Sequence, residues 1–280
     1  MDRAILKIMS RGSVSAILPC RNSSLTLSRA LSSVQKQTIP VGEIIVIDDA
    51  STDDSPAIAE EHGARVVRLP CRLGRGGVRA RGMVEAAGEF TLWCDSTNIL
   101  SRNFLEGAIV WMKEERVAAV TGTIRSERTH GPVGRWRERH LFRYDPKAEF
   151  CVRRDSPLLT GGCLLRREAV MEVGNFDASL EQGEDLDLGR RLVAAQWGVL
   201  KDTRVVATSI VENTLFQVME RYWRWNSPGK PSAFHLMEYA KAVWFAARVM
   251  AAKDLQAGDP GAALISLFSP HYCQWMNLRK

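Results

Sequence analysis

The first 125 positions alternate between two kinds of apolar run. Residues 43–47 and 90–94 are apolar without polar alternation, which is how a strand buried on both faces reads. Shorter β-type runs occupy 14–18, 65–69 and 117–124. Between them the apolar positions switch to helical spacing: Leu27, Leu31 and Val34 within 24–37, a segment over 77–87, and Leu105, Ala108, Ile109 and Met112 within 103–115. Ser55 followed by Pro56 reads as an N-cap and first helical residue, with a helix to about His62 stopped by Gly63. Strands alternating with helices predict an α/β fold with a parallel sheet and right-handed crossovers.

The second half changes character. Residues 125–154 are polar, Arg-rich and aromatic and read as a mobile or acceptor-facing segment. A strand with a Gly161-Gly162 kink is expected over 158–166, then a helical turn or two over 167–173 stopped by Gly174-Asn175. Gly183 opens a helix to Ala195, Val199 and 204–209 read as short strands, and 214–254 reads as helical with a break at 228–231. There are no internal repeats.

In open α/β sheets ligands bind beyond the carboxyl ends of the strands. Here three such ends carry polar clusters: Pro19-Cys-Arg-Asn22, Asp48-Asp49 and Asp95-Ser-Thr-Asn98. One cluster alone is ordinary turn chemistry. Three on one rim suggest a site for a cation, a sugar or a base edge.

Composition adds little against this. The chain has 280 residues, 45% hydrophobic and 25% charged, which excludes a disordered, collagenous or coiled-coil chain. No apolar run reaches the ~18 residues of a membrane span, and residues 1–10 do not read as a secretory signal. Of 38 basic residues 29 are Arg, which suits forked recognition of phosphates and carboxylates, but the net charge of +6 does not argue for nucleic acid. Cys20, Cys71, Cys94, Cys151, Cys163 and Cys273 have no zinc-type spacing, so free thiols and a cytoplasmic setting are expected. Gly74-Arg-Gly-Gly-Val-Arg79 lacks the third glycine of a dinucleotide fingerprint, and there is no nucleophile elbow.

Taken in order, Val14-Ser-Ala-Ile-Leu-Pro-Cys-Arg-Asn22, Ile45-Val-Ile-Asp-Asp-Ala-Ser-Thr-Asp53, Val78-Arg-Ala-Arg-Gly82 with Ala87-Gly-Glu-Phe90, Thr160-Gly-Gly-Cys-Leu-Leu-Arg-Arg-Glu168, Val173-Gly-Asn-Phe-Asp177 and Gly183-Glu-Asp185 are similar to the motifs of family-2 glycosyltransferases, over about residues 13 to 225. The resemblance implies the GT-A fold, a Rossmann-like, mostly parallel central sheet flanked by helices, with a helical C-terminal extension. It implies a tail over 1–12, a nucleotide-sugar-binding half over 13–125, an acceptor-binding, catalytic half over 126–212 and the extension over 213–280. It also implies inverting transfer of a sugar from a nucleotide diphosphate, UDP by expectation, to an acceptor hydroxyl in glycan or glycoconjugate assembly. Asp185 would be the general base, with Glu184 orienting the acceptor. Asp49 would accept from the base, Asp48 would support its turn, Pro19, Cys20 and Arg21 would line the base, and Arg79 would approach base or diphosphate.

Two departures bear on chemistry. The family's Asp-x-Asp metal box reads Asp95-Ser-Thr97, and a hydroxyl is a poorer ligand for Mg²⁺ or Mn²⁺ than a carboxylate. Metal then binds weakly through Asp95 with Asn98 or water, or arginines take over neutralisation, or activity is lost. The presence of Asp49 and Asp185 favours a working enzyme with altered metal dependence. Secondly, Arg221 replaces the Gln of the processive Gln-x-x-Arg-Trp motif, so single addition is expected; Arg224 and Trp225 would contact donor phosphates or acceptor. The expected partners are a nucleotide sugar and a glycan, lipid-linked or small-molecule acceptor, with no nucleic acid. The run over 234–252 allows peripheral contact at the inner membrane face, or packing on protein. A non-catalytic sugar-nucleotide-binding or scaffold relative is the alternative from another class. A nucleic-acid binder, supported only by the basic residues 135–143, comes third.

Overall fold

The computed structural model describes residues 13–144, 152–154, 156–226 and 236–279. The expected tail over 1–12, the helix break at 228–231 and Cys151 lie outside these. The chain divides into two compact units, residues 1–125 with 148–210 and residues 126–147 with 211–280.

The first unit holds β1 (Val14–Cys20), α1 (Leu27–Gln35), β2 (Glu43–Asp48), α2 (Ser55–Glu61), β3 (Arg65–Arg68), α3 (Gly74–Glu85), β4 (Phe90–Cys94), β5 (Asn98–Leu100), α4 (Phe104–Ile109), β6 (Val117–Ser126), β7 (Val152–Arg153), β8 (Gly162–Arg166), α6 (Arg167–Glu172), α7 (Glu184–Ala194) and β9 (Gly198–Ser209). Its sheet runs β3-β2-β1-β4-β8-β6-β9-β5, with β7 beside β9. Strands β3, β2, β1 and β4 are parallel, as the alternating pattern predicts.

Strand β8 corrects the rest of that expectation. It inserts between β4 and β6, antiparallel to both, so the sheet is mixed. Val199 and 204–209, expected as two short strands, are one twelve-residue strand, β9. The polar positions within it do not interrupt the strand: Asp202 is fully buried and bonded to the Trp111 indole and the Arg204 guanidinium. Ser55 is the first helical residue of α2 rather than its cap, and its hydroxyl donates to Asp53.

The absence of polar alternation in the strands has a direct cause. Both faces of the sheet are covered, so neighbouring residues enter opposite cores. Leu18, Val46 and Leu92 pack with Leu27, Leu31 and Val34 of α1 on one face. Ile17, Ile45, Ile47 and Trp93 pack with Val78 and Met83 of α3 and with Leu188 and Leu192 of α7 on the other. Helix α3 lies close because Gly82 has no side chain: a Cβ there would be 2.8 Å from Ile17 and 2.9 Å from Trp93.

One turn is strained. Ala50 sits at φ 55°, in the left-handed region, where the related box carries glycine. An L-residue loses about 1–2 kcal/mol in that conformation, and glycine's larger unfolded-state entropy returns about 0.4–1 kcal/mol of any gain. Ala50→Gly is therefore expected to stabilise the protein by about 0.5–1 kcal/mol, read as a higher urea midpoint with an unchanged slope.

The second unit is helical: α5 (Gly131–Trp136) with a π turn over Arg137–Phe142, α8 (Leu215–Asn226), α9 (Leu236–Phe245) with a π turn over Ala246–Ala251, α10 (Ala252–Gln256) and α11 (Pro260–Leu278). Its core gathers Trp136, Val218, Met219, Trp223, Met250, Ile265 and Tyr272. The segment expected to be mobile or acceptor-facing forms helix over 131–142. Several of its basic side chains are engaged within the unit: exposed Arg135 donates twice to Asp259, Arg139 pairs with fully buried Asp254, and buried Arg137 donates to the Val211 carbonyl.

Candidate active site

Strand order reverses between β1 and β4. The chain continues from β1 to β2 and β3 on one side and places β4 on the other, the kind of position at which α/β sheets bind ligands; the loops leaving β1 and β4 are tied by the Ser23 and Ser96 hydroxyls, 2.8 Å apart. Cys20 of β1 is in register with Asp48 of β2, and the Asp49 amide donates to the Cys20 carbonyl at 2.8 Å, so these strand ends share one rim. Asp95 follows β4 directly.

Hydrogen bonds fix this rim. The Asp48 carboxylate, buried, accepts the Ser51 amide and so closes its own turn. The Asp53 carboxylate accepts the Ser24 amide and both the amide and hydroxyl of Ser55. Burial would raise its pKa, but these bonds outweigh burial and hold it down to about 2. Asn22, at φ 47°, accepts the Thr52 amide and donates its own amide to Ser51, tying the β1 loop to the acidic turn. Arg21 is left exposed beside it. The Cys20 thiol is buried and pushed up to about 11 by burial, so it stays neutral and contributes shape rather than charge.

The Asp49 carboxylate is engaged by the chain itself. It accepts the amides of Leu73 at 2.6 Å and Gly74 at 3.2 Å, the residues that lead into α3. That anchor sets where α3 begins, and α3 carries Arg79.

Arg79 is the centre of the site. Its helix face, Val78, Arg79, Gly82 and Met83, is the buried one, so the guanidinium points inward and is 5% exposed. Nη2 donates to Asp95 at 3.0 Å, Nε donates to the Thr160 hydroxyl at 2.7 Å, and Nε lies 3.3 Å from Glu184. The plane stands over the Trp93 ring at 5.8 Å. Burial opposes its charge, but Asp95, Glu184 and Asp185 together raise its pKa. The structure therefore brings together Arg79, Asp95, Glu184 and Asp185, which stand far apart in sequence.

Glu184 and Asp185 open α7 behind Gly183, which adopts φ 76°. The helix dipole favours carboxylates in this first turn. Burial nevertheless dominates: it raises the pKa of Glu184, with Asp185 adding to the rise and Arg79 opposing it. Asp185 is raised for the same reason, again opposed by Arg79, and its carboxylate accepts the adjacent Leu186 amide, with its own backbone amide also favouring the charged form. A carboxylate with a raised pKa and no side-chain donor fixed on it is chemically suited to taking a proton.

The loop ahead of α7 is held by α3. The Gly76 amide donates to the Leu180 carbonyl at 2.9 Å, and a Cβ at Gly76 would lie 2.1 Å from the Asp177 carbonyl oxygen. Only glycine fits there. Thr160, Gly76 and the hub role of Arg79 were missed by sequence reasoning. The signal for the last was available, since Arg79 falls on the apolar face of its helix.

Whether a divalent cation fits can be judged from the donors. Among the described residues no three His, Cys, Asp or Glu side chains converge to hold a metal. The Asn98 amide is turned onto the Gly161 carbonyl at 2.7 Å. Asp95 keeps Oδ2 outside the Arg79 bond, and Gly161 leaves space beside it, a Cβ there reaching 3.3 Å from that oxygen. Mg²⁺-type ions use one or two carboxylates with substrate phosphates and water, so Asp95 suits a metal that arrives with a phosphate ligand.

Arg224 and Trp225 belong to α8 of the second unit. Arg224 Nε lies 3.8 Å from Glu220, and the Trp225 ring is 6.4 Å from Phe142. Arg221 donates to Asn213 at 3.3 Å.

Known proteins resemble this chain over much of its length. Poly-beta-1,6-N-acetyl-D-glucosamine synthase of Staphylococcus epidermidis is 24% identical over 233 residues, 77% of this chain and 54% of that protein. The Escherichia coli UDP-Glc:alpha-D-GlcNAc-diphosphoundecaprenol beta-1,3-glucosyltransferase WfgD is 29% identical over 141 residues, 49% of this chain and 56% of that protein. The matches thus span about half the length of these relatives. Among solved structures, mannosyltransferase PcManGT of Pyrobaculum calidifontis, in complex with GDP-Man and Mn²⁺, superposes with a TM-score of 0.62 at 19% identity, over 96% of this chain and 87% of that one. Staphylococcus aureus TarS 1–349 with UDP-GlcNAc gives 0.58 at 19% identity, over 84% and 65%. The fold is therefore GT-A. The model of glycosyl transferase family 2 matches residues 15–174, more than half of the chain, and the chain belongs to that family.

Proposed function

We propose that the protein is an inverting glycosyltransferase that moves a sugar from a UDP-linked donor to an acceptor hydroxyl. The observation that carries this reading is the cluster of Asp185, Glu184, Arg79 and Asp95, in the unit whose sheet reverses its strand order between β1 and β4. Asp185 takes the acceptor proton. The freed oxygen attacks the anomeric carbon from the face opposite the nucleotide, the bond to the diphosphate breaks, and its electron pair leaves with UDP. Glu184, fixed by Arg79, orients the acceptor. Asp49 accepts from the base with the lone pairs left by the Leu73 and Gly74 amides, while Arg21, Cys20 and Pro19 flank it. Asp95 would hold Mg²⁺ or Mn²⁺ together with the diphosphate, and that ion would neutralise charge on the leaving group. Arg79 is engaged by Asp95 and Glu184, which favours this assignment over neutralisation by arginine alone. Of the acceptor classes, the name of the E. coli relative favours a lipid-linked one, and we adopt it.

Calorimetric titration tests the donor site. UDP is expected to bind, and Mn²⁺ to raise its affinity at least about 10-fold, the effect of one added charge-assisted ligand. Mn²⁺ alone is expected to show no saturable binding. UDP affinity equal with Mn²⁺ and with chelator would refute the metal assignment. Tight UDP binding without hydrolysis or transfer from any nucleotide sugar would favour the scaffold reading, which Thr97 supports.

A further inference from the structure

Helix α11 presents an apolar face whose large side chains are exposed. Over 19 residues it contains no Asp, Glu, Lys or Arg. Leu264, Leu267, Phe268, His271, Trp275 and Leu278 recur at helical spacing on one side, and every one of them is exposed. Trp275 is 46% and Leu264 68% exposed. The opposite side, with Ala262, Ile265, Ser266, Ser269 and Tyr272, fills the core of the second unit. Helix α9 lies alongside, its Tyr239 hydroxyl 2.6 Å from His271 Nδ1, and none of its residues is fully buried. It adds Trp244, 62% exposed, to the apolar surface. A soluble unit has no folding reason to leave this many large apolar side chains in water.

The flanking charge identifies what covers the face. Between 236 and 279 the exposed ionised residues are Lys241, Arg248, Lys253 and Arg279 against Glu238 alone. Asp254 and Asp259 are buried and paired with Arg139 and Arg135. Arg279 lies over the Trp275 ring at 4.3 Å. A second copy docking by two-fold symmetry would bring the same cations against one another. A surface of anionic headgroups over hydrocarbon instead meets the cations with opposite charge, takes up the leucines and phenylalanine, and places the tryptophan rings at the boundary.

We propose that the α11 face, with Trp244 and the basic residues Lys241 and Arg248 of the adjoining helix, docks the protein on an anionic lipid surface. The proposal does not depend on the donor chemistry.

The test is sedimentation of the whole chain with vesicles of phosphatidylcholine, with and without phosphatidylglycerol. Binding is expected on the anionic vesicles and weakening as salt rises. Leu264→Ser with Phe268→Ser is expected to lower the partition coefficient at least about 10-fold. Lys241→Gln with Arg248→Gln is expected to lower it about 10-fold on anionic vesicles only. Both variants should bind UDP as the parent does, which shows them folded and separates failure here from failure of the transferase reading. Equal binding to both vesicle types, full binding by the apolar variant, or a dimer by light scattering that this variant dissolves while vesicles capture nothing, would each overturn the proposal.

Discussion

Replacing Arg79 by Met is expected to cost the protein about 3–5 kcal/mol at neutral pH, the loss seen when one partner of a buried ion pair is removed. Methionine keeps the stem that packs beside Trp93 but leaves Asp95, Glu184 and Asp185 without their cation. Since whole domains are stable by about 5–15 kcal/mol, the variant should sit close to unfolding. The pH dependence identifies the cause. Glu184 and Asp185 already have raised pKa values, burial being the main reason, with Arg79 pulling the other way. Without Arg79 both rise further. A carboxyl whose folded pKa exceeds its unfolded value contributes stability below the unfolded pKa and loses it as pH rises through the folded one. The deficit of the variant should therefore be small in acid and grow toward neutrality. Urea unfolding of parent and variant at mildly acid and at neutral pH checks this. An equal deficit at both would mean that packing, rather than charge, is what Arg79 supplies.

The reason this arrangement was only partly legible in the chain is physical. Parallel strands buried on both faces announce themselves by apolar runs, so β1, β2 and β4 are visible, as are the acidic residues at their ends. Pairing across long separations is not encoded locally. Nothing near residue 162 says that β8 will lie antiparallel between β4 and β6, and nothing near Asp202 shows that it is buried within β9. The same limit applied to the site. The motifs single out Asp49, Asp95, Glu184 and Asp185, but each was read as facing a ligand. The structure turns Asp49 onto the amides that begin α3 and sets Arg79 among three carboxylates. A buried arginine on an apolar helix face has to find anions inside the fold, and that rule, applied to Val78, Arg79, Gly82 and Met83, points to the hub from sequence alone. The basic run over 135–143 shows the same limit. Nothing local shows that Arg135 and Arg139 are paired, because their acceptors, Asp259 and Asp254, are more than a hundred residues away.

Asp185→Asn is expected to lower the transfer rate by about 10²–10⁴-fold, the usual contribution of a general base, while UDP binds as before. The amide keeps the size of the carboxylate and can still accept the Leu186 amide through its oxygen. What it lacks is the ability to take a proton. The same change should make the protein more stable at neutral pH. Burial raises the pKa of Asp185, so in the folded state its charge is disfavoured relative to the unfolded chain; asparagine removes that charge and also relieves Glu184 of a like-charged neighbour. By the linkage rule the gain should vanish in acid, where the parent's carboxyl is protonated in both states. Activity of the parent carries the complementary signature. A base works only when deprotonated, so with a raised pKa the acid limb of kcat/KM should lie above the ordinary aspartate value. Thermal unfolding of the variant across pH, beside the rate profile of the parent, measures both. Retention of the transfer rate would remove Asp185 from the role of base, and a loss of stability at neutral pH would show its charge to be structural, held by Arg79 rather than kept for the acceptor. A gain in stability with a loss of rate is the expected pattern of a carboxylate maintained for chemistry at the expense of folding.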